Sequence, residues 1–81
     1  MRRRIELYGR LRDAGLGAAL SVILPEKATA RQVMDAVGSA LGPNSSLLHG
    51  CVLADGENVL SACEQVPSKG RLAVLPPVCG G

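Results

Sequence analysis

The residues best suited to chemistry are the last two, Gly80 and Gly81, reached through Leu75-Pro76-Pro77-Val78-Cys79. What they offer is a carboxylate on a thin leash. Two prolines fix φ near the polyproline value and cannot continue a hydrogen-bonded ladder, so a strand running into Leu75 must stop there and the chain must leave extended. Gly80 and Gly81 have no Cβ, so a narrow channel in another protein could close around their backbone and bring reactants up to the carboxylate of Gly81. The alternative is a frayed glycine-rich end. The apolar strand, the proline pair and the diglycine in one run favour the arm.

Other reactive side chains form no pattern. Cys51, Cys63 and Cys79 are an odd number without CxxC spacing, which argues for reduced thiols rather than a disulfide framework. With His49 they match no usual zinc spacing. No Ser-His-acid or Cys-His arrangement is placed by the sequence, and Gly15 and Gly17 are too isolated for a phosphate-cradling loop. Hence no catalytic machinery of the chain's own, no bound cofactor and no metal are expected. Cys79 reads as a small residue that fits a channel. The sharper alternative is a thiol that exchanges with a persulfide beside the carboxylate.

An arm needs a body to present it. Residues 3–8 alternate, with Ile5 and Leu7 on one face and Arg4, Glu6 and Tyr8 on the other, the period of a half-buried strand. Residues 9–19, with three glycines and the charges of Arg10, Arg12 and Asp13, read as a long hairpin connection to a second strand over 21–24, ended by Pro25. Thr29 is a candidate helix N-cap. Behind it Ala30, Val33, Met34, Val37 and Leu41 form an apolar stripe, expected to be core, that ends at Gly42-Pro43, with Gly38 weakening the last turn. Residues 44–50 read as polar loop, 51–54 as a short strand closed by Asp55-Gly56, 59–62 as another, and 71–75 as the last.

The economical assembly is an α+β fold of the β-grasp, or ubiquitin-like, type: a mixed four- to five-stranded sheet with one main helix across one face and the last strand beside the first. Residues 1–75 would form the domain and 76–81 the flexible C-terminal tail. On the sheet face away from the helix, Tyr8 and Leu75 would make an apolar patch beside that tail, suited to a partner.

Composition narrows the function. The chain has 81 residues, enough for one domain, a formal charge of +2 and a single aromatic residue, Tyr8. Without a strong basic field or rings to stack bases, nucleic acid is not an expected partner. Glu6, Arg10, Arg12 and Asp13 interrupt any apolar stretch behind Met1-Arg2-Arg3-Arg4, and no run approaches the roughly 20 apolar residues of a membrane span. A cytoplasmic protein with no membrane partner is the expectation.

With these elements in place, the sequence resembles the sulfur-carrier family of ubiquitin-like proteins, the MoaD/ThiS-like group, and within it the molybdopterin synthase small subunit. The tail Leu75-Pro76-Pro77-Val78-Cys79-Gly80-Gly81 is similar to that family's FPPVxGG end. Residues 8–15, Tyr-Gly-Arg-Leu-Arg-Asp-Ala-Gly, resemble the segment where an aromatic strand end precedes a Leu-Arg-acid cluster. Residues 24–29, Leu-Pro-Glu-Lys-Ala-Thr, resemble the lead-in to its helix. The chain departs from the family at Val74-Leu75, where aromatics are frequent, and at Asp55, Arg71 and Cys79.

The resemblance implies that a ubiquitin-activating-type adenylyltransferase uses ATP to adenylate Gly81. It further implies that a persulfide sulfur donor converts the acyl adenylate to a thiocarboxylate, which delivers sulfur to a pterin precursor in the molybdopterin synthase large subunit. Leu75, Pro76, Pro77, Val78, Cys79 and Gly80, with Tyr8, would then be partner contacts. Related roles are sulfur donation in thiamine, tungstopterin or tRNA thiolation chemistry, or attachment of Gly81 to target lysines as a protein modifier.

Overall fold

The computed structural model describes residues 1–12, 17–56 and 58–76. Within them the order is β1 (Arg2–Leu7), β2 (Ala19–Ile23), α1 (Ala30–Leu41), a 3-10 helix (Gly42–Leu48), β3 (Val52–Asp55), β4 (Asn58–Val59) and β5 (Leu72–Leu75). The five strands form one mixed sheet in the order β2-β1-β5-β3-β4. β1 is antiparallel to β2 and parallel to β5, with Ile5 opposite Leu72 and Leu7 opposite Val74. This is the expected β-grasp arrangement.

Alternation along β1 decides which side is inside. Ile5 and Leu7 are fully buried, as are Leu72 and Val74 of β5, and all four face α1, which returns Val33 and Val37. Thr29 caps the helix as anticipated: its side chain accepts from the Gln32 amide at 3.3 Å while Gln32 Oε1 accepts from the Thr29 amide at 2.8 Å. This reciprocal capping box satisfies donors that the first helical turn leaves open. The carbonyls of Glu64 and Ala62 accept from the Ala30 and Arg31 amides, tying the helix start to the segment that leads to β5.

Three expectations need correction. Of the expected polar loop over 44–50, residues 44–48 belong to the 3-10 helix, because Leu47 and Leu48 are half-buried against the core, and Leu48 Cδ1 lies 3.5 Å from where a Gly38 Cβ would stand. Met34 is half-buried at the rim of the core rather than inside it. The connection after β1 is more than a solvated hairpin: a helical turn starts at Arg10 and sends Leu11 fully into the core. Its arginines and glycines hide one apolar anchor.

Arg3 is also unanticipated. It shares the inward face with Ile5 and Leu7 at the end of the sheet, where its guanidinium donates from Nη1 to the Pro67 carbonyl at 2.6 Å and from Nη2 to the Gly70 carbonyl at 3.3 Å. The loop before β5 is thereby fastened to β1. None of the described helices is long and apolar enough to cross a membrane.

Candidate docking face and tail exit

The face opposite α1 is built by register. Glu6 stands opposite Ala73, and Ala73 opposite Ala54, which pairs with Val59 of β4; one step nearer the end of β5, Leu75 stands opposite Val52, with Tyr8 following Leu7 on the other side. Two rows of small and aliphatic side chains therefore cross the sheet, with Tyr8 at one end. Tyr8 and Leu75, both half-buried, line one shallow depression together with Glu6, Gly56, Arg71 and Ala73. Tyr8 and Leu75, expected as an apolar patch, thus share a depression with the polar side chains of Glu6 and Arg71.

Sequence reasoning missed the polar network that fixes Tyr8. Its hydroxyl donates to Glu6 Oε1 at 2.6 Å, and the Arg12 guanidinium lies over its ring, 4.7 Å from the centroid. Arg71 closes on the same carboxylate, Nε to Oε2 at 2.7 Å and Nη2 to Oε1 at 2.8 Å. The Arg71 fork first, and the Tyr8 hydroxyl second, hold the Glu6 carboxyl at about 2, far below its ordinary value of 4.5. Glu6 stays ionised, so the ring stays oriented. The available signal was topological: once β1 and β5 are neighbours, Glu6 and Arg71 must fall close together.

Pro76 is the only tail proline among the described residues. It lies against Gly9, where a Cβ would stand 3.1 Å from both Pro76 Cβ and Cγ. Gly9 itself has φ +64, the left-handed region that glycine occupies without penalty. The turn after β1 thus makes room for the first residue beyond β5. Pro77, Val78, Cys79, Gly80 and Gly81, all expected to contact partners or react, lie outside the described residues.

The remaining reactive groups stand apart from this face. Cys63 is an exposed free thiol in the segment before β5. Cys51 is half-buried and donates to the Leu47 carbonyl at 3.4 Å, and burial pushes its thiol up. Among the described residues, no group of three or more His, Cys, Asp or Glu side chains is disposed to hold a metal. What the face offers is a held ring, two rows of small and aliphatic side chains and arginines at the margin.

No protein-family model matches the chain, and no curated protein matches its sequence. Solved structures do match in shape. SAMP1 from Haloferax volcanii superposes with a TM-score of 0.80 at 19% identity over 100% of both chains. A Pyrococcus furiosus protein provisionally identified as molybdopterin converting factor subunit 1 gives 0.77 at 16% identity, over 96% of this chain and 99% of that one. A second structure, of H. volcanii small archaeal modifier protein 1, gives 0.72 at 17% identity, over 95% and 98%. At these identities the likeness establishes a shared fold, the β-grasp or ubiquitin-like one.

Proposed function

We propose that this chain is a sulfur carrier for molybdopterin synthesis, a small subunit that presents the carboxylate of Gly81 to enzymes it does not itself contain. One observation carries the reading: β5, at the centre of the sheet, leads past Leu75, which shares a depression with Tyr8, directly into Pro76 against Gly9, and the sequence continues as Pro77-Val78-Cys79-Gly80-Gly81. The last described residue thus follows the central strand, and the diglycine follows it in the sequence. The shape shared with the P. furiosus protein supports the molybdopterin assignment.

A carboxylate does not react with nucleophiles until it is given a leaving group. In this reading an adenylyltransferase of the ubiquitin-activating type lets the Gly81 carboxylate attack the α-phosphate of ATP, expelling pyrophosphate. A persulfide on a donor protein then attacks the acyl adenylate and expels AMP. The resulting acyl disulfide is cleaved by a second thiol, which supplies the electrons and leaves a thiocarboxylate. Sulfur passes from there to the pterin precursor bound by the large subunit.

The name of the H. volcanii neighbours favours a second reading, in which Gly81 is joined to lysine amines of target proteins. Both readings start with the same adenylate and diverge afterwards. Incubation with ATP, the cognate activating enzyme and a persulfide donor, followed by intact mass measurement, is expected to show one oxygen of Gly81 replaced by sulfur. A mass that does not change overturns the carrier reading. Slower-migrating conjugates that disappear when Gly81 is deleted would select the modifier instead.

A further inference from the structure

The sheet face that carries Tyr8 and Leu75 is uneven in charge along its length. Positions 2 and 4 of β1 project to this face, as Glu6 does, and both arginines are exposed. Arg2 stands opposite Ile23, which is 72% exposed, and Arg4 opposite Ser21; Arg4 also lines a depression with Glu6, Gly70 and Arg71. Glu6 is the only acid that the register of the five strands puts on this face, since Asp55 pairs with inward-facing Leu72. Its carboxylate is already occupied by Arg71 and Tyr8. Among the described residues neither Arg2 nor Arg4 has an acid within ion-pair distance, and Arg4 acts on the Glu6 carboxylate only at longer range.

Because β1 and β5 are parallel, position along β1 measures distance from the tail exit. Arg4 is four residues and Arg2 six residues before Tyr8, or about 13 Å and about 20 Å at about 3.3 Å per strand residue. Between them and the exit run the aliphatic rows ending in Val59, 59% exposed. The surface therefore has a direction, with cations at the back, apolar rows in the middle and Pro76, directly after β5, at the front.

We infer that Arg2 and Arg4 orient this face on a protein partner whose docking surface is apolar near the channel for the tail and acidic about 13–20 Å behind it. The inference rests on the proposed activation of Gly81 and names the activating enzyme as that partner. Cations at a rim attract and align a complementary surface more than they tighten it, so their effect belongs to encounter and register. The half-buried Val52, Ala73 and Leu75 and exposed Val59, between the arginines and the end of β5, match a protein surface and offer nothing to a phosphate backbone.

The test is steady-state adenylation of the full chain by its cognate activating enzyme, as a function of carrier concentration and salt. Arg4→Glu and the double variant Arg2→Glu/Arg4→Glu are expected to raise KM about five- to tenfold at low salt with kcat unchanged, and raised salt should bring wild type towards the variants. Arg31→Glu, the same charge change on exposed α1, should leave KM as in wild type; circular dichroism checks that each variant folds. An unchanged KM, an equal effect of Arg31→Glu, or competition by a short DNA duplex for Arg2 and Arg4 overturns the inference. Failure of every protein, wild type included, to be adenylated overturns the functional reading first and this inference with it.

Discussion

Arg71 meets Glu6 fork to fork across β1 and the start of β5, with contacts of 2.7 and 2.8 Å between residues 65 positions apart in the chain. Because the Glu6 carboxyl titrates at about 2 when folded and near 4.5 otherwise, its contribution to stability is complete above about 4.5 and lost as pH falls towards 2. The Arg71 side chain is 77% exposed, so solvent screening keeps the effect small. Urea midpoints measured across this range are expected to fall for wild type and to fall less for Glu6→Gln. Equal slopes would show that the fork does not persist in solution.

Leu11 is a core residue placed in a polar, glycine-rich connection, and it is fully buried. Replacing it with Ala is expected to destabilise the fold by about 2–5 kcal/mol in urea unfolding, the usual range for a buried leucine. A solvated hairpin would lose almost nothing.

Gly9 and Pro76 can be tested as a pair. Gly9→Ala forces an L side chain into the left-handed region, at about 1–2 kcal/mol, and presses its Cβ towards the proline ring at 3.1 Å. In a Pro76→Gly background only the backbone part should remain. A double-mutant cycle with no coupling would mean that the tail does not rest on this turn.

The two described thiols should differ in reactivity. Cys63 is exposed, whereas burial pushes the Cys51 thiol up and its S–H is directed to Leu47. Alkylation at neutral pH followed by peptide mapping is expected to label Cys63 well before Cys51.

Periodicity made much of this fold legible. The alternation of Ile5 and Leu7, the stripe from Ala30 to Leu41 and the Thr29 cap each rest on neighbouring residues, and each is where local pattern places it. The Gln32 half of the capping box was readable too, as a glutamine three residues after a threonine. What local pattern could not supply were contacts closed by topology. Arg3 reaches carbonyls more than 60 positions away, Glu6 finds Arg71 only because β1 lies beside β5, and Leu11 looks like a loop residue until the core is assembled around it. At the candidate site, Tyr8 and Leu75 could be paired by supposing a parallel β1 and β5. The groups that hold Tyr8 in place could not.

The middle position of β5 also governs how the molecule comes into being on the ribosome. Of the five strands β1 is made first, and its parallel neighbour, Leu72–Leu75, last. Until that segment leaves the exit tunnel, β1 and β3 each keep an open edge, and a nascent chain halted before residue 72 would expose both to aggregation. Sheet closure is therefore a late event, and a chain that has closed its sheet has already synthesised all five strands.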